Sequence, residues 1–274
     1  MFLAMDIGNT HITFGLYHQG EWRHTWRWST RREATEDELG LALVHMFRHR
    51  ELDPQDLEGI GLVSVVPTLT RIVALACQRY LGREPFVLSR DTPFGLAFDY
   101  DLGQLGLDRV ANAVAAFHFY GGPTCVVDIG TAITVDAVTH DGRFLGGVIA
   151  PGLDMAAEAL HGRTAQLPLL RFEHLPPVLD PEGIPLLGHT TTQAMQVGLL
   201  HGFAGMMQTL VRGVCRALET YSAKAGAART SPHVVATGGW AGKFARWLGF
   251  QLHPHLTLDG VRVLWERQRG GHRP

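Results

Sequence analysis

The sequence lacks the features that most quickly assign a protein to a membrane, nucleic-acid-binding or secreted class. No apolar run approaches the roughly 20 residues of a membrane-spanning helix, and the short apolar stretch before Asp6 has no basic leader of the signal-peptide kind. Net charge is −2, so no basic excess points to nucleic acid. Three cysteines lie far apart in apolar segments. They exclude a zinc spacing or a disulfide framework and favour buried thiols in a reducing cytoplasm.

Common signatures of nucleotide binding and nucleophilic catalysis are also missing. The segment Gly238 to Lys243 is one residue too short between its glycines for a Walker A loop, and Phe244 stands where Ser or Thr would hold magnesium. No Gly-x-Gly-x-x-Gly fingerprint follows a predicted strand, and no Gly-x-Ser-x-Gly nucleophile elbow is present. Any phosphate site must therefore be built from other residues.

What the sequence does contain is an internal duplication. Asp6-Ile7-Gly8-Asn9-Thr10 returns 122 residues later as Asp128-Ile129-Gly130-Thr131-Ala132. His18-Gln19-Gly20 is matched by His140-Asp141-Gly142 at the same offset. In both copies an apolar run enters the aspartate, and a β-rich stretch then ends in a Gly-containing turn typical of a hairpin.

This repeated pattern suits phosphate binding. Glycine lets backbone N–H groups approach an anion, hydroxyl side chains add donors, and an aspartate at the strand end can hold a cation or its waters. One short copy can arise by chance, but two in register favour a nucleotide clamped between duplicated halves.

The periodicity predicts strand triplets followed by alternating helix and strand, twice. The best boundary is Gly121-Gly122-Pro123, which gives domains at 1–121 and 122–274. Residues 166–188 are rich in Pro and Leu with little periodicity, and 191–223 is a long helical pattern with a possible break near 202–205. This order predicts an α/β protein with two domains and mixed β-sheets, a duplicated actin-like ATPase fold shared by acetate and sugar kinases. The predicted elements are strands at 2–6, 12–17, 22–28, 59–66, 84–88, 124–128, 133–138, 143–149 and 233–236, and helices at 34–49, 68–81, 107–119, 153–161, 191–223 and 243–248.

A candidate for chemistry is Gly106-Leu107-Asp108-Arg109, at the start of a predicted helix. Free N–H groups in a first helical turn stabilise a carboxylate there. Opposite a γ-phosphate, Asp108 could accept a proton from a substrate hydroxyl, and Arg109 could steady a carboxylate or the transferring phosphoryl group. The alternative is a helix N-terminal anion with a surface salt bridge.

Each of three glycine-containing segments can be explained either by ligand binding or by local structure alone. Gly146 to Gly152 permits close approach of a ligand or of the other domain, or is only a turn. Thr237-Gly238-Gly239 is a third loop beside an adenine or ribose, or an ordinary strand-to-helix turn. The segment from Gly188 to Thr191 precedes the long helix, where a threonine N-cap is the default explanation.

Together these motifs resemble the type III pantothenate kinases, which phosphorylate pantothenate with ATP in the first step of coenzyme A synthesis. No single motif is decisive, but they occur in family order along nearly the whole chain. The landmarks are the Asp6 loop, Ser64-Val65-Val66-Pro67, Gly106 to Arg109, Asp128 to Thr134, Gly146 to Gly152, and Thr191 with Ala194 and Gly198.

The resemblance implies a role for each matched residue. It implies that Asp108 is the proton acceptor and that Asp128 is a ligand of a monovalent cation, either potassium or ammonium. ATP with Mg²⁺ is the implied phosphoryl donor. The implied ATP contacts are Asp6, Ile7, Gly8, Asn9, Thr10, His11, Ile12, Thr13 and Thr131. The implied pantothenate contacts are Tyr100, Gly106, Leu107, Asp108, Arg109 and Thr191.

The sequence departs from the family pattern near Tyr100. The spacing from Tyr100 to Gly106 is one residue shorter than usual, and the usual Asn-Pro between them is absent. Thr190 also replaces a common asparagine before the substrate threonine. Of the implied pantothenate contacts, Tyr100 is the one most affected by these departures from the family pattern.

The expected protein is a cytoplasmic, homodimeric kinase with no nucleic-acid or membrane partner. One rival is a phosphatase of phosphoanhydrides with the same fold, which would form ADP without pantothenate. A second is a non-enzymatic ATP-binding regulatory factor, since relatives have been labelled accessory transcription factors. Such a factor would not depend on Asp108.

Overall fold

The computed structural model describes residues 1–172, 174–227 and 230–270. Strands and helices alternate in the expected order, with a short 3₁₀ turn at Pro54–Asp56. The strands are β1 (Phe2–Ile7), β2 (His11–His18), β3 (Glu21–Ser29), β4 (Gly59–Ser64), β5 (Phe86–Val87), β6 (Ala97–Phe98), β7 (Thr124–Ile129), β8 (Ala132–Val138), β9 (Arg143–Pro151), β10 (His233–Thr237) and β11 (Gln251–Leu252). The helices are α1 (Glu36–His49), α2 (Pro67–Leu81), α3 (Leu107–Tyr120), α4 (Leu153–Arg163), α5 (Thr191–Lys224), α6 (Ala241–Leu248) and α7 (Leu256–Gly270).

The two sheets repeat one topology. The five-stranded sheet has the order β3-β2-β1-β4-β5, and the six-stranded sheet has β11-β10-β7-β8-β9-β6. In each, the first three strands form an antiparallel meander, and the first strand also pairs in parallel with the strand that follows later in the chain. The second sheet carries β6 as an additional strand beside β9. The duplication seen in the sequence is therefore a duplication of mixed sheets, as predicted.

The two copies differ at the turn after the aspartate. In the first, Gly8, Asn9 and Thr10 connect β1 to β2, and the Gly8 N–H donates to the His11 carbonyl at 2.9 Å. In the second, only Gly130 and Thr131 connect β7 to β8, and the Gly130 N–H donates to Ala132 at 3.1 Å. The second loop is thus one residue shorter. Residues that follow the glycine of each loop therefore do not occupy equivalent positions at a constant offset of 122.

The chain forms two compact units whose limits differ from a single cut at 121/122. The first comprises Met1–Gly95, Asp101–Ala115 and the described residues from His255 onward. The second comprises Leu96–Tyr100 and Ala116–Pro254. The chain therefore crosses between units several times, which a linear boundary cannot represent.

Most predicted elements are present, and the differences have local causes. α5 runs unbroken through Gly202 and Gly205, so the break expected near 202–205 is wrong. Isolated glycines cost a helix only about 1 kcal/mol each. β4 ends at Ser64 rather than 66, because Pro67 takes the first position of α2, where its missing N–H is not needed. α7, β6 and β11 were not predicted.

The central strands β1 and β4 of the five-stranded sheet are buried on both faces, whereas alternate residues of β3 are exposed. Leu3, Met5 and Ile7 alternate along β1 toward a core that includes Leu43 of α1 and Val73 of α2. The opposite face is flattened by glycine. A Cβ built on Gly61 would lie 2.5 Å from Val261 Cγ1, and one on Gly59 would lie 2.3 Å from the Trp265 ring. Glycine at these sheet positions therefore lets α7 pack against the strands.

The six-stranded sheet packs mainly against α5. Its inward residues include Val127, Ile133 and Val135, and they form one core with Phe203 and Met207 of the helix. Among the described residues, no helix combines the length and apolar character that crossing a membrane requires.

α7 also packs closely on α3, and this contact yields a stability prediction. A Cβ built on Gly260 would lie 2.1 Å from the Ala111 carbonyl oxygen, which is backbone and cannot move aside alone. We expect Gly260→Ala to lower the free energy of unfolding by about 1–3 kcal/mol, as overpacking does in close-packed sites. Denaturant unfolding measures this change.

Gly213→Ala is the matched control, because a Cβ on this exposed α5 glycine would meet no atom within 4 Å. It should be neutral or stabilising by about 0.5–1 kcal/mol, the helix preference of alanine over glycine. If both variants shift stability alike, the close approach of α7 to α3 is not as described.

Candidate active site

The first predicted phosphate loop is a tightly bonded turn between β1 and β2. Asp6 is half-buried near the end of β1, paired across the strands with Thr13 and Val63. A Cβ on Gly8 would lie 3.1 Å from the His11 carbonyl oxygen, a contact tighter than most side chains tolerate. Gly8 is therefore fixed by the width of the turn.

Ser64-Val65-Val66-Pro67 lies beside this loop because β4 runs parallel to β1. Ser64 is opposite Ile7 in the register, and the Val65 N–H donates to the Ile7 carbonyl at 3.0 Å. The Ser64 hydroxyl closes the turn into α2 by accepting from the Val66 N–H at 3.0 Å. The motif thus extends the pairing by one residue at the carboxyl end of the strands, the usual location of ligand sites in α/β sheets.

The Gly106-to-Arg109 motif begins α3 in the same unit. A Cβ on Gly106 would lie 2.4 Å from Asp108 Oδ1 and 3.9 Å from Val65 Cγ1. Glycine leaves space here for the Asp108 carboxylate, which folds back over the backbone of residue 106. The Gly-x-Asp-Arg motif and the Ser64–Pro67 segment therefore meet at Val65, which also bonds to the end of β1.

Asp108 has the electrostatics of a group that holds its proton more tightly than usual. Burial raises the pKa of this half-buried carboxyl, while the Arg109 backbone N–H, which donates to Oδ1 at 2.8 Å, and the Arg109 charge act in the opposite direction. Desolvation wins, since removing a carboxylate from water favours its neutral form. A raised pKa is typical of a general base, though structural carboxylates show it too.

The second phosphate loop lies at the end of β7 in the other unit. Asp128 pairs with Thr134 of β8 and with Thr237 of β10, so the three side chains share one face of the sheet. Gly238 follows with φ +94°, and a Cβ there would lie 2.3 Å from Asp128 Oδ1 and 2.7 Å from the Ile129 carbonyl oxygen. Oxygen atoms therefore crowd this point, and only glycine fits beside them.

Thr134 adds an unsatisfied oxygen to this face. Its Oγ1 is buried and has no hydrogen-bond partner within the part of the chain that the structure describes. A buried hydroxyl without a partner is costly, so its position next to Asp128 marks a place where a ligand atom or a cation would be stabilised.

The segment Gly146 to Gly152 supports the second loop. The Gly152 N–H donates to the Thr131 carbonyl at 3.0 Å, and a Cβ on Gly152 would lie 2.3 Å from that oxygen. Gly146 adopts φ +128°, which favours glycine, and the Tyr100 ring lies beside it, with Cδ2 in ordinary van der Waals range, 3.5 Å, of a Cβ built there. One end of this motif thus packs against the second loop, and the other end lies next to Tyr100.

Thr190 and Thr191 occupy different positions at the start of α5. Thr190 is the N-cap, and its hydroxyl accepts from the Gln193 N–H at 3.2 Å. The default interpretation of a threonine cap therefore applies to Thr190, while Thr191 occupies the first helical position and is exposed. Thr191 is not needed as the cap.

The sequence-predicted residues thus fall into two groups. Within the first unit lie residues 6–13 and the Gly-x-Asp-Arg motif; within the second lie Tyr100, Asp128, Thr131 and Thr191. The sequence did not predict that Thr30, which follows β3, donates hydrogen bonds to the first loop. The one indication in the sequence was that β2 and β3 form a hairpin, which brings the end of β3 close to the start of β2. Among the described residues, no group of three or more His, Cys, Asp or Glu side chains is placed to hold a metal ion.

Comparison with known proteins identifies the family of the chain. The family model for type III pantothenate kinase matches residues 2–213. The chain belongs to the type III pantothenate kinase family. It is 36% identical over 270 residues to the type III pantothenate kinase of Moorella thermoacetica, covering 97% of this chain and 99% of that one. It is 38% identical over 272 residues to that of Brevibacillus brevis, covering 98% and 100%. The predicted family and enzyme class are confirmed.

Solved structures confirm the predicted fold. The chain is similar to MreB 5 of Spiroplasma citri, with a TM-score of 0.52, 9% identity and coverage of 98% of this chain and 97% of that one. It is equally similar, at TM-score 0.52 and 17% identity, to a conserved Campylobacter jejuni protein assigned to the Baf family of transcriptional activators, covering 98% and 99%. At these identities the likeness establishes the actin-like ATPase fold alone.

The raised pKa of Asp108 predicts that this residue lowers stability. A carboxyl whose folded pKa lies above its unfolded value binds its proton more tightly in the folded state, so stability falls as pH rises through that window. We expect Asp108→Asn to be more stable than the wild type at pH 7, because the amide has no charge to desolvate. The difference should shrink as pH falls toward about 4, the ordinary range of an aspartate pKa.

Thermal unfolding at several pH values tests this expectation, with Asp91→Asn as a control that removes the same charge from an exposed position. If Asp108→Asn is less stable than the wild type at pH 7, the carboxylate stabilises the start of α3 and its desolvation is not dominant.

Proposed function

We propose that this protein transfers the γ-phosphoryl group of ATP to the primary hydroxyl of pantothenate, giving 4′-phosphopantothenate in the first step of coenzyme A synthesis. Membership in the type III pantothenate kinase family carries this proposal. The meeting of the Asp6 loop, the Ser64–Pro67 segment and the Gly-x-Asp-Arg motif in one unit supports it.

In this proposal Asp108 accepts the proton of the substrate hydroxyl. A primary alcohol is a weak nucleophile at neutral pH, and a positioned base is typically worth about 10²–10⁴-fold in rate. A raised pKa suits the role, because a carboxylate with a raised pKa binds the transferred proton more strongly. The positive charge of Arg109 next to it favours the ionised form and is suited to an anionic part of the substrate or the transferring group.

We assign the ATP contacts to residues 6–13 of the first unit and to Thr131 of the second. The first loop joins backbone N–H groups with the side chains of Asn9, Thr10 and His11, a donor-rich set that favours phosphate. Asp6 is the residue suited to hold Mg²⁺ or its waters, since carboxylate oxygen is a preferred magnesium ligand. Bound magnesium would reduce the negative charge of the phosphates.

Pantothenate contacts are assigned to Gly106, Leu107, Asp108 and Arg109, and to Tyr100 and Thr191. The Tyr100 ring packs edge-on against Phe144, with ring centroids 6.0 Å apart, and this contact supports a defined position for the ring despite the unusual spacing in sequence. The exposed hydroxyl-bearing side chain of Thr191 supports a role other than capping.

We further propose a monovalent-cation site at Asp128. The Asp128 carboxylate, the Ile129 carbonyl and the unpartnered Thr134 hydroxyl supply oxygen atoms, the donor type that hard cations prefer. A carboxylate beside polyphosphate is unfavourable unless positive charge lies between them. Potassium or ammonium would supply that charge.

A cytoplasmic homodimer completes the proposal. Cys77, Cys125 and Cys215 are free thiols, as suits a reducing compartment. The 34-residue α5 has apolar residues beyond its buried stripe, and Leu186 and Leu187 just before it are 72% and 77% exposed. Exposed apolar side chains of this kind favour a partner surface.

The test is a coupled assay of ADP release, run with and without pantothenate and with potassium exchanged for sodium. ADP release that requires pantothenate supports the kinase. Equal ADP release without pantothenate would support the rival phosphatase, which activates water instead.

The proton-acceptor role predicts a specific loss in Asp108→Asn. The amide keeps the size of the side chain and cannot accept the proton, so we expect kcat to fall by at least about a hundredfold. ATP affinity, measured by calorimetry, should stay near the wild-type value. Asp91→Asn serves again as the charge-matched control and should retain full activity.

A variant that keeps more than about a tenth of the wild-type kcat would remove Asp108 as the base, because general-base catalysis is worth more than that. Asp6 would then be the next candidate. A non-enzymatic ATP-binding factor would keep its function without Asp108.

The cation assignment predicts that Asp128→Ala raises the KM for ATP and abolishes stimulation by potassium. Thr134→Val, which removes only the unpartnered hydroxyl, should weaken the potassium response in part. Titration of activity with KCl at constant ionic strength measures both effects. Asp141→Ala, in the exposed turn between β8 and β9, is the control. Potassium stimulation that survives in Asp128→Ala would exclude Asp128 as the ligand.

A further inference from the structure

Two backbone carbonyls of the first phosphate loop accept hydrogen bonds from one residue outside it. Thr30, immediately after β3, donates from Oγ1 to the Gly8 carbonyl at 2.7 Å and from its N–H to the Thr10 carbonyl at 2.9 Å. The His11 carbonyl accepts from the Gly8 N–H at 2.9 Å. Three carbonyl oxygens that would repel an approaching anion are therefore engaged, two of them by Thr30 and one by the loop's own Gly8 N–H, which is used within the turn.

Two arginines engage acceptors of the loop side chains. Arg27 Nη2 lies 2.8 Å from His11 Nδ1. A guanidinium has no acceptor and stays protonated, so Nδ1 must accept, and the neutral ring carries its hydrogen on Nε2. Arg32 Nη2 donates to Asn9 Oδ1 at 3.3 Å, which leaves the amide NH₂ as the donor end of Asn9.

These bonds share one electrostatic consequence. Each occupies a partially negative atom at the loop, and the two exposed arginines add positive charge beside it. What remains for a ligand is biased toward N–H groups, which is the arrangement that binds phosphate. Fixing the donors before the anion arrives also avoids the cost of reorganising them.

The neighbouring Arg31 shows that the pattern is not shared by every arginine of this segment. Arg31 is exposed and lies 3.6 Å from Glu38 of α1. It carries the same charge one residue from Arg32 but its ion pair is with the start of a helix. Arg31 therefore provides a control for position within the segment.

We propose that Thr30, Arg27 and Arg32 are positioning residues that mask the acceptors of the first phosphate loop and so turn it into a set of donors for the ATP phosphates. The inference rests on the proposed assignment of residues 6–13 to ATP. It assigns a role to three residues outside the loop that no motif had marked.

Thr30 provides the first test. Thr30→Val keeps the shape but removes the hydroxyl that bonds to Gly8, whereas Thr30→Ser keeps the hydroxyl. We expect Thr30→Val to weaken ATP binding by about five- to tenfold, in the range of one lost hydrogen bond, with KM raised in proportion and kcat nearly unchanged. Thr30→Ser should restore most of the affinity. Equal ATP affinity in the folded Val and Ser variants would overturn the role of Thr30.

Substitution of the arginines tests whether a specific hydrogen bond, rather than positive charge alone, favours ATP binding. We expect Arg32→Gln to raise the ATP Kd by roughly fivefold, more than a screened surface charge accounts for, and Arg31→Gln to change it by less than about twofold. If the two substitutions act equally, only the general positive field matters and the masking of Asn9 is overturned.

A readout without ATP tests the histidine. Long-range ¹H–¹⁵N spectra at neutral pH should show His11 with its hydrogen on Nε2 in the wild type and a mixture of tautomers in Arg27→Gln. A wild-type ring that carries its hydrogen on Nδ1, or a tautomer unchanged by the substitution, would overturn the Arg27 role.

Gly8→Val separates this inference from the proposed function. The larger side chain intrudes at the loop, so a folded Gly8→Val protein should lose well over tenfold in ATP affinity. Near-normal affinity in that variant would mean that the phosphates bind elsewhere and would overturn the ATP assignment together with the inference. Lost affinity in Gly8→Val combined with wild-type affinity in Thr30→Val would overturn the inference alone.

Discussion

Parallel pairing of β1 with β4 is the constraint on which the first unit depends. The pairing runs from Phe2 with Gly59 to Ile7 with Ser64 and is extended by the Val65 N–H bond to Ile7. Because carboxyl ends of parallel strands meet at one edge, the Asp6 loop and the segment that contacts Gly106 come together there. The same relation between β7 and β10 brings Thr237 and Gly238 beside Asp128.

Several glycines let an oxygen atom lie closer to the backbone than any side chain would allow. Gly106 makes room for the Asp108 carboxylate, and Gly238 makes room for that of Asp128. Gly152 lies against the second loop, as Gly260 lies against α3. These glycines share a steric function, because each lies where a Cβ would overlap oxygen atoms that are backbone or belong to a carboxylate.

If Asp108 has the proposed role of proton acceptor, stability and function oppose each other at this residue. Desolvation holds the pKa of Asp108 above its ordinary value, so the fold bears the cost of a partly dehydrated carboxylate at neutral pH. Such a cost is common where a group is kept for chemistry rather than packing. The donor-rich first loop is a related case, since its hydrogen bonds fix donor positions that packing alone would not require.

The sequence by itself determined the features that are local or repeated. Asp-x-Gly motifs 122 residues apart, turn glycines and hydrophobic periodicity predicted the duplicated mixed sheets, the family and most element positions. Tertiary structure decided what depends on contacts between distant residues. Among these are the packing of α7 on the first sheet, the one-residue difference between the two loops, and the position of the Tyr100 ring next to Gly146. It also decided the raised pKa of Asp108 and the bonds from Thr30 to the first loop. The physical reason is that patterns along the chain encode which face of an element is apolar, whereas burial and hydrogen-bond partners depend on which residues the fold brings together.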